Sequence, residues 1–195
     1  MSRGSDGVPA RGRASVPDGS AGPSGSGAGE GVSPADRAAV AAQLGRAPRA
    51  MRAVAHRCPC GQPDVVETSP RLPDGTPFPT LYYLTCPRAG GAVGRLEASG
   101  RMREMADRLR TDPDLADRYR AAHEAYLRRR RELGDVPEIA GVTAGGMPTR
   151  VKCLHALLAH ALAAGPGVNP LGDEVRDAVS PWWSAGPCVG PEEAR

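Results

Sequence analysis

The sequence predicts an α+β fold: a small antiparallel β-meander packed against four to five helices, preceded by a disordered N-terminal tail. Three observations predict it. The run Thr80-Leu81-Tyr82-Tyr83-Leu84-Thr85 has the strongest β propensity in the chain. Two further short apolar runs, residues 50–57 and 64–68, precede it across short, turn-rich connections, the pattern of a meander. From residue 93 onward, apolar residues recur at helical spacing.

Residues 1–32 consist mainly of Gly, Ser, Pro and Ala with scattered charges. Such a segment buries too little apolar surface to offset the entropy of ordering it, so it is predicted to be disordered. One domain is expected over 33–190. Ser33 suits the N-cap of a first helix, Pro34 its first position and Asp36 its positive start; the helix runs through Val40 and Leu44 to Gly45.

Strands follow at Ala50–Arg57, Asp64–Thr68 and Thr80–Thr85. The first turn is Cys58-Pro59-Cys60-Gly61-Gln62-Pro63, and the second, Pro70 to Pro79, has Asp74-Gly75 as its tip. In a meander, strand one ends at Cys58, strand two begins just after Cys60 and strand three ends at Cys86. All three cysteines then lie at one end of the sheet.

Gly90-Gly91 reads as a break. A helix is predicted over about 93–110, and another from Asp112-Pro113 to Leu133 with Leu115, Tyr119, Ala122 and Tyr126 on its apolar face. Tyr119, His123 and Tyr126 on one side read as core packing, and Arg128 to Arg131 as a solvated, dipole-compatible helix end. After the glycine-rich linker 141–146, Pro148 opens the most apolar helix, Thr149 to Ala164, expected at the centre of the fold. A short helix from about Gly172 to Ser180 closes the series, and Trp182-Trp183 and Cys188 lie in the tail.

Composition narrows the function. The core must rest on aliphatic residues, because only seven residues are aromatic. A net charge of +3 is too modest to imply nucleic acid. The longest apolar stretch, Ala156 to Ala164, is too short to span a bilayer, and no secretory signal is present. These features point to the cytoplasm, where cysteines serve metal binding or thiol chemistry in preference to disulfides.

Chemistry is concentrated in Arg57-Cys58-Pro59-Cys60-Gly61, Cys86 and Arg150-Val151-Lys152-Cys153-Leu154-His155. A structural zinc takes four N or S ligands in a tetrahedron, and an iron–sulfur cluster is held by cysteine thiolates. Cys58, Cys60, Cys86 and Cys153 form the expected metal-ligand group, zinc before iron–sulfur. In a regular helix Cys153 and His155 point roughly 160° apart, so they are not expected to share one metal.

A second reading makes Cys153 a nucleophile or redox thiol in the first turn of its helix, with His155 as a possible base. A small anionic ligand would then sit at the helix start on Gly146, Arg150 and Lys152. A third reading is an interaction protein without chemistry of its own.

Four stretches carry a resemblance: Arg57-Cys58-Pro59-Cys60-Gly61; the run 74–87 ending in Leu84-Thr85-Cys86-Pro87; Gly146-Met147-Pro148 with Arg150-Val151-Lys152-Cys153-Leu154-His155; and residues 165–172, Gly165 to Gly172. On these the chain resembles an uncharacterised actinobacterial family catalogued as domain of unknown function five hundred and one, over roughly residues 40 to 190. The resemblance implies a bacterial, cytoplasmic protein. It leaves the choice between metal, thiol and scaffold open.

Overall fold

The computed structural model describes Met1 and residues 32–190, so the disordered tail expected over 1–32 falls almost wholly outside the described residues. Over 32–190 the fold is α+β, as expected. A three-stranded antiparallel sheet, β1 (Met51–Arg57), β2 (Pro63–Thr68) and β3 (Tyr82–Leu84), has the meander order β1-β2-β3. It packs with six α-helices: α1 (Pro34–Leu44), α2 (Pro87–Ala98), α3 (Arg101–Thr111), α4 (Pro113–Leu133), α5 (Leu154–Ala164) and α6 (Pro170–Val179). Two short 3-10 turns lie at Pro137–Ile139 and Ala144–Gly146.

The start of α1 follows its sequence signals: the Ser33 hydroxyl oxygen accepts the Asp36 N–H at 3.0 Å, and Gly45 ends the helix. Asp36 also receives both terminal nitrogens of Arg57, each at 2.8 Å, which ties the end of β1 to α1. Every residue of β2 is buried, because it is the middle strand and both faces are covered. Val66 packs with Val40 of α1 and Met51 of β1, whereas its neighbour Val65 enters the main core, as the alternation of a strand requires.

The main core is built around α5. Leu154, Leu157, Leu158, Ala159, His160 and Ala161 are all buried, and the helix touches all three strands together with α2 and α6. The Tyr126 hydroxyl accepts the Leu81 N–H and donates to the Pro79 carbonyl at 3.1 Å, joining α4 to the chain entering β3. Tyr119 is equally buried and donates to the Arg150 carbonyl at 3.1 Å.

Four expectations are corrected. Gly90-Gly91 does not break the chain; both residues lie inside α2, which starts at Pro87. The single helix expected over 93–110 is two helices, divided at Ser99-Gly100, where Gly100 has φ 87°. That split makes six α-helices where four to five were expected. The helix expected from Thr149 starts at Leu154, because the Arg150 and Lys152 amides are spent on the Gly146 and Gly145 carbonyls at 2.9 and 2.8 Å. The arginine run is also less exposed than expected. Arg130 is buried and donates to the carbonyls of Pro79, Ile139 and Val142, closing the loop after α4 onto the chain before β3.

Where α6 crosses α5, only glycine fits. A Cβ on Gly172 would collide with the Leu157 carbonyl oxygen and lie 2.8 Å from the Ala161 Cβ. Both obstacles belong to a helix buried at the centre of the core, so neither can yield cheaply. Gly172→Ala is therefore expected to lower the unfolding free energy by about 3 kcal/mol, measured by urea denaturation of the full chain.

His160 is a core residue. Its ring stacks on Tyr82 (centroids 5.8 Å apart, 14° between planes) and meets Tyr126 edge-on at 5.3 Å. Asn169 Nδ2 lies 3.2 Å from Nδ1, which fits a neutral ring accepting there. Burial pushes its pKa down to about 4. Between that value and the ordinary value near 6.5, the unfolded chain binds a proton that the folded chain refuses, so stability falls as the pH drops through this window. Denaturation curves at pH 7 and pH 4.5 are expected to differ by roughly 2–3 kcal/mol from this group, and the difference should shrink in His160→Gln.

Candidate functional site

Two clusters of chemically active side chains emerge, one at the end of the sheet and one at the start of α5. The first is made by the β1–β2 turn, the start of α2 and the C-terminal segment. The turn is closed by the Cys58 N–H on the Gln62 carbonyl at 2.9 Å and the Gly61 N–H on the Cys58 carbonyl at 2.8 Å. Gly61 has φ 87°, a conformation that costs glycine little and other residues more. This tight turn brings the Cys58 and Cys60 side chains into hydrogen-bonding contact, with the Cys60 amide turned toward the Cys58 sulfur and the Gln62 amide toward that of Cys60.

Cys86 immediately precedes α2, and the Arg88 and Ala89 amides of the first helical turn lie near its sulfur without making a cap hydrogen bond. Between Cys60 and Cys86 stands Cys188, in side-chain contact with both. Its position is held from three sides. Gln43 Nε2 of α1 lies 3.1 Å from the Cys188 sulfur while donating to the Pro63 carbonyl at 2.7 Å. Arg88 Nη2 donates to the Pro187 carbonyl at 3.0 Å. The Cys188 amide points at the Cys60 sulfur.

The thiols thus form an open chain, Cys58–Cys60–Cys188–Cys86. Burial pushes Cys58 up to about 11 and Cys86 up to about 12. Burial raises Cys60 too, but its hydrogen bonds from Gln62, Cys58 and Cys188 outweigh this and hold it below the ordinary thiol value. Among the described residues all five cysteines are free thiols.

Cys153 makes no contact with Cys58, Cys60 or Cys86 among the described interactions; it belongs to the second cluster. Cys153 is the residue before α5, in extended conformation (φ −157°, ψ 112°), so the rule for a regular helix does not hold it apart from His155. The Cys153 sulfur and a ring nitrogen of His155 lie within 4.8 Å of each other, so both could reach one ion, contrary to the sequence expectation. Glu97, reaching across from α2, completes the group: its Oε1 accepts the Leu154 N–H at 2.7 Å and lies 3.2 Å from His155 Nδ1. His155 Nε2 lies 3.1 Å from the Gly90 carbonyl oxygen.

Glu97, Cys153 and His155 each offer one donor atom within 4.8 Å of the others, so the group could hold a metal ion. The neighbouring His155 is the main cause holding the Cys153 thiol below its ordinary value. In turn Cys153 raises His155 to about 9, against burial and with help from Glu97.

The second cluster lines a cavity of about 340 Å³. One wall is β3 and its approach, with Tyr82, Tyr83 and Leu84; the opposite wall is Ala144, Gly145 and Ala156. Gly146, Arg150 and Lys152 do not stand at a helix start, since α5 begins beyond them. The anion at the α5 N-terminus is internal: it is the Glu97 carboxylate. The other histidines are accounted for locally. His56 Nδ1 lies 2.7 Å from buried Asp64, and His123 Nδ1 lies 3.1 Å from the Thr143 hydroxyl.

Two residues of these clusters carry no local sequence signal. Cys188 sits in an irregular tail without periodicity, and only its residue type could have pointed to it. Glu97 had an indirect signal: the position before α5 is not Ser, Thr, Asp or Asn, so the Leu154 N–H needed an acceptor from elsewhere.

No curated protein and no solved structure matches the chain. The family model described as "Protein of unknown function (DUF501)" matches residues 54–177, more than half of the sequence. This span contains Cys58, Cys60, Cys86, Glu97, Cys153 and His155 and stops short of Cys188. The chain therefore belongs to the DUF501 family.

Proposed function

We propose that the protein binds one structural metal ion, zinc in preference to an iron–sulfur cluster, through Cys58, Cys60, Cys86 and Cys188. The observation that carries this reading is the convergence of four thiols from three separate chain segments, with backbone amides turned toward three of the sulfurs. Zinc takes four thiolates in a tetrahedron at about 2.3 Å, and outer hydrogen bonds orient such ligands. Amides aimed at sulfur supply that outer shell here.

Among the described residues no three of these thiols lie within 4.8 Å of one another, so one ion would have to draw them together. Thiols already touching in sequence leave space for a single ion more readily than for a cluster bringing its own sulfides. Metal binding would cross-link the sheet end, the start of α2 and the C-terminal segment. In a domain with seven aromatic residues, such a cross-link adds directly to folding free energy.

Metal content of the full chain, purified without chelator, tests the reading. About one equivalent of zinc per chain is expected, retained in Cys153→Ser and lost in Cys188→Ser and Cys60→Ser. A chain with neither zinc nor iron would refute metal binding. Metal kept by Cys188→Ser but lost from Cys153→Ser would instead assign the fourth position to Cys153.

A further inference from the structure

The cluster at the start of α5 has a chemistry separate from the thiols at the sheet end, and its reading does not depend on theirs. Three features converge there. The first is protonation, which the geometry dictates. Both ring nitrogens of His155 face oxygens that can only accept, the Glu97 carboxylate at Nδ1 and the Gly90 carbonyl at Nε2, so both carry protons and the ring is a cation. An imidazolium within 4.8 Å of the Cys153 sulfur favours the thiolate by its charge.

The second feature is position. Cys153 immediately precedes the first turn of α5, and Glu97 locks both the Leu154 amide and the His155 ring. The nucleophile is therefore held at the entry of the central buried helix. The third is space. Cys153 and His155 open onto the 340 Å³ cavity, whose walls are largely apolar, with the tyrosines of β3 on one side and small residues of the 3-10 turn on the other.

We propose that Cys153, with His155 and Glu97, forms a nucleophilic thiolate site that takes an acyl group from small, largely apolar activated esters or thioesters bound in this cavity. The Cys153 sulfur attacks the acyl carbon, forming a C–S bond. The bond from that carbon to the departing oxygen or sulfur breaks, and the leaving group takes a proton from the His155 imidazolium. Water then attacks the thioester, the C–S bond breaks, and the proton released by water returns to the imidazole. The balance is one ester and one water giving one acid and one alcohol or thiol, with the protein unchanged. Cys153 is the catalytic residue and His155 its proton partner. Glu97 is a positioning residue that acts through the His155 ring and the helix start.

The full chain mixed with p-nitrophenyl acetate tests this. A burst of about one equivalent of p-nitrophenolate is expected, with the acetyl group found by mass spectrometry on the Cys153 peptide and absent in Cys153→Ala. Iodoacetamide gives a second, independent measurement. Cys153 alkylation at neutral pH should exceed that of a free thiol by roughly tenfold and stay nearly level between pH 6.5 and 8.5. In His155→Gln the same rate should climb with pH like an ordinary thiol.

Cys153→Ala should lose the burst while keeping its zinc, which separates this site from the metal reading. No burst, or a Cys153 rate that rises with pH as a free thiol does, would overturn the proposal. So would alkylation that becomes fast only after chelation, which would make Glu97, Cys153 and His155 metal ligands.

Discussion

The Glu97 carboxylate is the contact on which both the core and the candidate chemistry depend. It accepts the Leu154 amide and thereby sets where α5 begins, a task usually given to a side chain immediately before the helix. Because the helix starts at Leu154, Cys153 is left in extended backbone and can turn toward His155. The same carboxylate holds the His155 ring against the Gly90 carbonyl. One acidic residue on α2 thus fixes the entry of the central helix, the direction of a thiol and the charge of its partner. The helix it anchors then carries Leu154, Leu157, Leu158 and His160 into the core, and its Leu157 carbonyl leaves room for nothing larger than glycine on α6.

The two clusters solve different physical problems. At the sheet end, thiols from the β1–β2 turn, the start of α2 and the tail meet in a chain. Burial there favours protonation at Cys58 and Cys86 unless a cation is present. At the start of α5, a cation built into the protein plays that part for Cys153. Thiols of one chain are thereby sorted into a group suited to holding an ion and a single sulfur suited to attack. Sharing α2 between them, with Cys86 at its beginning and Glu97 near its end, links the geometry of one cluster to that of the other.

Much of the fold was legible because its signals are local. Ser33, Pro34 and Gly45 bound α1, Asp112 and Pro113 start α4, and the β propensity of residues 80–85 marks the third strand. The convergence of Cys58, Cys60 and Cys86 also followed from turn lengths alone. The errors came where long-range contacts override local preference. Gly90-Gly91 is helical because α2 is held against α5. The start of α5 moved five residues because the Gly145 and Gly146 carbonyls take the amides that would have begun it earlier. Arg130 is buried because three carbonyls surround it, which no charge pattern announces. Cys188 and Glu97 reach their clusters through tertiary packing, so Cys188, one of several residues that could complete the site, was passed over for Cys153, and Glu97 was not named.

On the proposed readings, the thiols divide into an all-sulfur ion site and a separate thiolate. X-ray absorption at the zinc edge of the purified full chain tests that division most directly. The account predicts a first shell of sulfur alone, about four at about 2.3 Å. A shell containing nitrogen and oxygen beside a single sulfur would contradict it, because that donor set belongs to Glu97, Cys153 and His155.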